Sequence, residues 1–513
     1  MNKHSFHRHL AYLVIGTQLL GCSAGPGNAG QQNDVWAPPP VPSADEAPMR
    51  PHFNAPSARN CVRPMRMREV PAGQHFKRDS DGWWPSLGRL SKSSSSERRS
   101  DALADGASGL AARTEATPSP ATAPAAPAAH FDSKDRAAPA PQVQATIAQH
   151  NRATATATVT VTAGVVDDNA SFGEYLAFRN RTQVAHRPVD VSERYLLQVR
   201  DRSGRSVSDA EVRIQAPDGS AMWARTDAGG QVWVSPNAFD TSHASTYQVN
   251  VRKPGRWGTA YAPYTYGTAF LQRGQKSAID ITLDAAPTQA AQATQRAQLD
   301  LVFLIDATGS MGDEIDKLKA SMHTIAAEVA RLPARPDVCF GLVAYRDHGD
   351  EFLIRSHDFT NDLSSFQTAL NRLQANGGGD YPEALNEALH DSVHSLSWRG
   401  DGTTRMVFLL ADAPPHLDYA GPQYDASMTA ALGKGIKIFS VGASGLDRQG
   451  EYIQRQLAQY TGGKFVFLTY DQAHNPASGP GRETVHDVQN YSVDTLDRLI
   501  VRLVREDLAK LER

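Results

Sequence analysis

The stretch Leu301-Val302-Phe303-Leu304-Ile305-Asp306-Ala307-Thr308-Gly309-Ser310 decides the fold. Five consecutive apolar residues end on an aspartate, and a short polar turn with one glycine follows. An unbroken apolar run of this length fits a central parallel strand buried on both faces. Downstream, Ile315, Leu318, Met322, Ile325, Val329 and Leu332 recur at spacings of three and four. One stripe of a helix therefore faces a core. Further strands are expected at 339–344, 352–354, 406–410, 436–439 and 465–468. Helices are expected near 362–374, 383–396, 423–433, 449–460 and 493–511. Alternating strands and helices imply an α/β fold with a doubly wound parallel sheet. Cys339 falls inside an expected strand and reads as a small buried apolar residue.

In such a sheet, ligands bind beyond the C-terminal ends of the strands. Three segments can bring side-chain oxygens there. The first is Asp306-Ala307-Thr308-Gly309-Ser310. The second is Gly377-Gly378-Gly379-Asp380, followed by Pro382-Glu383. The third is Asp412, which closes Leu409-Leu410-Ala411-Asp412. Together these segments resemble the von Willebrand factor A domain, over about residues 298–512. That family's metal-ion-dependent adhesion site has the form Asp-x-Ser/Thr-x-Ser, which Asp306, Thr308 and Ser310 match. Asp412 matches the aspartate of a later loop, and Asp380 stands where many members carry a threonine. The resemblance implies a Rossmann-like domain whose metal ligands are Asp306, Thr308, Ser310, Asp380 and Asp412, used for metal-dependent protein binding.

The residue types suit that role. Hydroxyl and carboxylate oxygens are hard ligands, which favour Mg²⁺ or Mn²⁺. Mg²⁺ keeps some of its waters, and an acidic side chain from a partner can replace one. Asp380 is the departure. Three carboxylates around a doubly charged ion leave a net negative site, which disfavours an acidic partner residue. Either Asp380 turns away, or the site holds metal tightly and recognises something less acidic. A degenerate site that keeps the fold without metal is the alternative. Asp313 and Glu314 read as favourable charges in the first turn of the following helix.

A chain of 513 residues is long enough for two or three domains. Residues 1–21 carry Lys3, Arg8 and an apolar stretch of 11 residues from Leu10 to Leu20. This is the length of a signal-peptide core, too short for a spanning helix. Leu19-Leu20-Gly21-Cys22 resembles the bacterial lipoprotein box, which implies lipidation at Cys22 and attachment to a membrane through the N-terminal lipid. Several acyl chains at about 0.8 kcal/mol per buried methylene make such attachment stable. Ser23 after the cysteine favours the outer membrane of a two-membrane bacterium. Residues 22–150 read as a disordered tether rich in Ala, Pro and Ser. Nine alanines and four prolines fall within residues 111–130, and little apolar surface is available to bury. Cys61 shows no evident partner there, and Trp83, Trp84 and Leu87 read as scattered exposed residues.

Residues 151–290 change pattern again. Alternation at 154–162 and short runs at 195–199, 210–214, 232–234, 247–251 and 279–283 are separated by Asp/Gly turns, which suggests a β-sandwich. The string from Leu197 to Ile214, with Thr226-Asp227-Ala228-Gly229-Gly230-Gln231-Val232, resembles carboxypeptidase-regulatory-like or Ig-like modules. Trp223, Trp233 and Trp257 fit sheet-face or core positions better than a sugar-binding platform.

The overall balance excludes some classes. Fifty-two basic against 55 acidic residues leave a net charge of −3, which excludes a polyanion binder, such as one of nucleic acid, whose affinity comes from bulk positive charge. Three cysteines cannot build a disulfide framework or a four-cysteine zinc site. His390 and His394, four apart, share a helix face as in zinc peptidases, but Asp391 replaces the glutamate such sites use as base. A solvated flank is the simpler reading of that pair. No nucleophile elbow and no phosphate loop is present. The expected protein is therefore a non-enzymatic, lipid-anchored envelope protein with a metal-dependent protein-binding domain. An envelope metallohydrolase using His390 and His394, or a metal-independent scaffold, is the alternative.

Overall fold

The apolar run 301–305 lies in the middle of a mixed ten-stranded sheet. Strand β10 (Gln298–Asp306) is flanked in parallel by β11 (Asp337–Tyr345) and β13 (Thr403–Ala411). β14 (Ile436–Gly442) and β15 (Phe465–Gln472) extend the parallel part. The computed structural model describes residues 61, 65–72, 160–257, 260–284, 296–400, 402–419 and 421–512. The expected signal segment 1–21, Cys22, Trp83, Trp84, Leu87 and the tether apart from residues 61 and 65–72 lie outside the described residues.

Alternate residues of β10 supply both layers. Leu301, Phe303 and Ile305 join the core built with α2 (Gly312–Ala330), α3 (Leu363–Asn371) and α7 (Leu496–Leu508). Val302 and Leu304 join the core built with α4 (Leu385–His394), α5 (Tyr424–Lys434) and α6 (Arg448–Thr461). This two-sided burial is the reason the run has no polar interruption. Asp447 caps α6 by accepting from Gly450 N at 2.7 Å, and Gly462 ends it in the left-handed region.

The sheet is not wholly parallel, as the alternation had suggested. β12 (Ile354–Thr360) and β1 (Met67–Val70) add antiparallel strands at one edge. β2 (Thr162–Val166) and β17 (Ser492–Thr495) do so at the other. β16 (Asn475–Pro480) pairs with β15 as a hairpin. Two sequence boundaries shift as a result. Residues 65–72, expected within the tether, form part of this sheet, because Val70 and Arg68 find partners only in distant chain. Residues 162–181, expected in the β domain, also belong here. β2 pairs with β15, and α1 (Phe172–Arg181) packs Phe178 against Tyr452 with ring centroids 5.9 Å apart. Cys61 and Cys339 form a disulfide with Cα atoms 5.9 Å apart, so Cys339 is more than an apolar filler.

The intervening chain forms two small sheets. β3 (Tyr195–Arg200) lies between β6 (Gln231–Val234) and β9 (Ile279–Thr282). The second sheet runs β5 (Ala221–Arg225), β4 (Glu211–Gln215), β7 (Thr246–Trp257), β8 (Ala260–Gln272). Leu197 and Ile281 from the first sheet and Ile214 and Val249 from the second belong to one buried core. These sheets are bolted to the start of β13. Asp209 accepts from Arg405 Nη1 at 2.9 Å and Nη2 at 3.3 Å, from Arg225 Nη1 at 3.1 Å, and from Gly402 N. Among the described residues, no helix is long and apolar enough to cross a membrane.

Burial alone would raise the Asp209 carboxyl, but Arg405, Arg225 and Lys253 hold it well below the usual carboxylate range. Removing one member of a buried pair leaves the other charge stranded. Asp209→Asn should therefore lower unfolding free energy by about 3 kcal/mol at pH 7, read by urea denaturation. Because the folded pKa is depressed, this contribution is present above the unfolded value near 3.9 and fades as pH falls toward the folded one. The gap between wild type and variant should narrow below about pH 4.

Candidate functional site

Asp306 is the last residue of β10, where the strand leaves the core. Its carboxyl is fully buried. Oδ1 accepts from Thr308 N at 3.0 Å and from Thr308 Oγ1 at 2.7 Å, and Oδ2 accepts from Tyr345 Oη at 3.2 Å. Thr308 Oγ1 lies 3.1 Å from Ser310 Oγ. Ser310 itself is exposed, so the cluster opens to solvent on that side. Met311, buried in the core, anchors the turn that leads into α2.

The middle loop is drawn against this turn. Gly309 N donates to Gly377 O at 2.9 Å, and Asn376 N donates to Ala307 O at 3.0 Å. Gly377 and Gly378 both lie in the left-handed region, at φ 76° and 70°. Gly378 N donates to Asp350 Oδ2 at 2.8 Å. A Cβ on Gly378 would sit 2.8 Å from Glu383 Oε1 and 3.1 Å from Thr308 Cβ, so only glycine fits between them. Asp412 follows β13 and is 3% exposed. Ser310 and Asp306 both act on its carboxyl.

Four of the five expected ligands therefore come together: Asp306, Thr308, Ser310 and Asp412. Asp380, the fifth, is not buried with them. It is exposed on the rim, where its charge acts on His416. The buried carboxyl of the middle loop is Glu383, 3% exposed. Sequence reasoning quoted Glu383 only as flanking chain. The signal that could have found it is the pair of glycines that turns the backbone before it. Glu314 also differs from expectation. It does lie in the first turn of α2, but as a buried carboxyl accepting from Ser444 N and Tyr470 Oη, each at 3.0 Å.

The electrostatics are those of crowded acids. Burial first, and Asp412 second, push the Asp306 carboxyl up to about 7. Burial, then Asp306, push Glu383 up to about 9. Asp412 also moves upward, through burial. Asp412 Oδ1 and Glu383 Oε2 are buried with no hydrogen-bond partner among the described residues. Unpartnered carboxylate oxygens beside two hydroxyls fit a hard divalent cation. Asp306, Thr308, Ser310 and Asp412 could hold it, with Glu383 adjacent. Among the described residues, no group of three or more His, Cys, Asp or Glu is placed to hold a metal ion by itself.

The histidines divide differently. His348 and His416, apart in sequence, bring their rings to 5.8 Å. His416 Nε2 is 3.0 Å from Asp347 Oδ1, and His348 Nε2 is 3.4 Å from Glu387 Oε1. His390 and His394 stack at 4.4 Å, but His390 is buried instead of lying on a solvated flank. On the same helix, Asp391 pairs with Arg68 of β1. Burial, then Lys434 and Arg68, press His390 down to about 4. Cationic neighbours of this kind oppose a metal ion.

Residues 300–470 match the family model of the von Willebrand factor A domain. This part of the chain is a von Willebrand factor A domain. The chain is similar to the Alpha-protein kinase vwkA of Dictyostelium discoideum, 29% identical over 148 residues, covering 27% of this chain and 22% of that protein. It is also similar to von Willebrand factor A domain-containing protein 7 of Mus musculus, 34% identical over 115 residues, covering 22% of this chain and 12% of that protein. The chain thus spans under a quarter of the length of these relatives. Among solved structures, the VWA domain of SpRpn10 aligns with 41% of this chain and 95% of its own, at 13% identity and a TM-score of 0.25. The A domain is a module commonly used for protein–protein interaction.

In the A domain, Glu383→Gln removes one of three facing carboxyls. It should raise the melting temperature of chelator-treated protein at pH 7 by a few degrees, since burial and the neighbouring carboxyls force Glu383 to take up a proton on folding, which glutamine need not do. Gly378→Ala should act oppositely and cost ~1–2 kcal/mol through the left-handed backbone alone. Differential scanning calorimetry of both variants measures these opposite signs.

Proposed function

We propose that the chain is a lipid-anchored cell-envelope protein whose A domain uses a divalent-metal site to bind a protein partner. The single observation that carries this reading is the buried, unpartnered Asp412 Oδ1 and Glu383 Oε2 beside Asp306 and Thr308. Mg²⁺ or Mn²⁺ would be held by Asp306, Thr308, Ser310 and Asp412. The ion would supply an open coordination position, at which an acidic side chain of the partner can replace water. Two aspartates balance the ion's charge and two hydroxyls add none. Asp380, out on the rim, leaves the inner set less acidic than five ligands with three aspartates would be. The role is binding and not catalysis, and no nucleic-acid partner is invoked.

The Cys61–Cys339 disulfide supports an oxidising compartment, as expected of an exported protein. Leu19-Leu20-Gly21-Cys22 is the motif for lipidation at Cys22, favouring an outer-membrane lipoprotein. We read the two small sheets as the Ig-like or carboxypeptidase-regulatory-like module, which presents the A domain away from the anchor.

Thermal unfolding of chelator-treated protein, with Mg²⁺ or Mn²⁺ added back, tests the site. At an ion concentration of 100 times the dissociation constant, the native state should gain about 2.7 kcal/mol. Asp306→Ala should abolish the gain. Capture of partners from envelope extract should fall with chelator. An unchanged melting temperature would favour a metal-independent scaffold. Equal capture with chelator and with Asp306→Ala would reject the adhesive role.

A further inference from the structure

The outward face of the second small sheet carries aromatic side chains that the adhesion site leaves unused. Along β8, Tyr264, Tyr266 and Phe270 are 38%, 52% and 67% exposed, while Gly267 and Leu271 are buried on the other face. Alternate positions of a strand share one face. These three rings therefore stand on the solvent side of the sheet, together with Thr268. A solvated strand face ordinarily carries polar residues there, so three large rings in seven residues call for an occupant.

The register fixes what lies beside the rings. Thr268 is opposite Asn250, which is opposite Arg213, which is opposite Trp223. In the next row, Phe270 is opposite Gln248, which is opposite Gln215. The face thus alternates rings with neutral amides. Its cations lie over rings as well. The Arg252 guanidinium is 5.1 Å from the Tyr264 centroid, and that of Arg213 is 5.6 Å from Trp223. In the row of Tyr266, Arg252 is opposite Glu211, a carboxylate that is buried and bound by Arg252 and Arg225. Arg213 has no carboxylate partner among the described residues, and its Nε makes no hydrogen bond there. The outward charge of the face is positive.

We propose that this face binds an acidic polysaccharide. The C–H edges of a pyranose are electropositive and lie against the electron-rich face of an aromatic ring. Asn250, Gln248 and Gln215 supply both donors and acceptors for sugar hydroxyls. Arg213 supplies the charge complement for a uronate carboxylate. A membrane-inserting face would present a continuous apolar surface bordered by cations, without amides set between the rings. A protein hot spot would need a walled pocket for its anchor, which an open strand surface does not provide.

Affinity electrophoresis of the full chain in native gels, with EDTA present throughout, tests the assignment. The gels contain alginate, neutral dextran or polyglutamate, and flotation with phosphatidylglycerol vesicles runs alongside. Alginate should retard the protein while dextran and polyglutamate do so weakly. The double substitution Tyr266→Ser/Phe270→Ser should weaken the alginate effect about tenfold. Arg213→Gln, which leaves the rings and the core in place, should weaken it about threefold. No retardation by alginate overturns the proposal. So does equal retardation by polyglutamate, which would mean charge alone, or binding to vesicles in place of alginate. Should the double variant fail to fold by circular dichroism, an unchanged alginate affinity in Arg213→Gln and in Phe270→Ser alone overturns it equally.

Discussion

Asp306, Asp412 and Glu383 bring like charge into a place with little water to screen it. Each carboxyl is buried, and two of them keep an oxygen with no donor among the described residues. A fold tolerates such an arrangement only where the surrounding backbone is tightly fixed or a cation arrives. Here the backbone is tied at several points. Gly309 N is bonded to Gly377 O, Asn376 N to Ala307 O, and Ala307 N to Tyr345 O. The loop after β10, the end of β11 and the middle loop are thus tied to one another. The apolar strand beneath them, buried on both sides, gives them a rigid floor.

The two small sheets meet the A domain at the opposite end of its strands. Asp209 reaches Arg405, near the start of β13, while Asp412 stands just past that strand's end. A single strand therefore runs between the docking ion pair and the acidic cluster. The buried pair fixes orientation more than it adds stability, since desolvation offsets much of its attraction. Trp233 and the lysines near Asp227 line a cavity of about 300 Å³ along this seam, but its charges are already mutually paired.

Much of the A domain was readable without coordinates. Uninterrupted apolar runs such as Leu301–Ile305 occur where a strand is covered on both faces, and the three-and-four spacing from Ile315 to Leu332 names a helix. The positions of Asp306, Thr308, Ser310 and Asp412 followed from their place at strand ends. Glu383 did not, because Asp380 offers the same chemistry three residues earlier. Only the left-handed turn at Gly377 and Gly378 decides which carboxyl points inward. β1 was hidden because four residues carry too little pattern, and its pairing lies far along the chain. Cys61 joins a cysteine 278 residues away, a separation no local reading reaches. β8 was obscured by Pro263 and Gly267, which interrupt an otherwise aromatic strand.

That distant sulfur bond has a mechanical consequence. A pull arriving from the N-terminal side of Cys61 reaches β11 through a covalent link before it reaches β1. The edge strand, joined to β12 by a four-residue ladder, would otherwise be stripped away one bond at a time. With the link in place, tension is delivered instead to an interior strand, clasped by its neighbours on either side. Load entering from the N-terminal side would thereby leave the A-domain sheet intact.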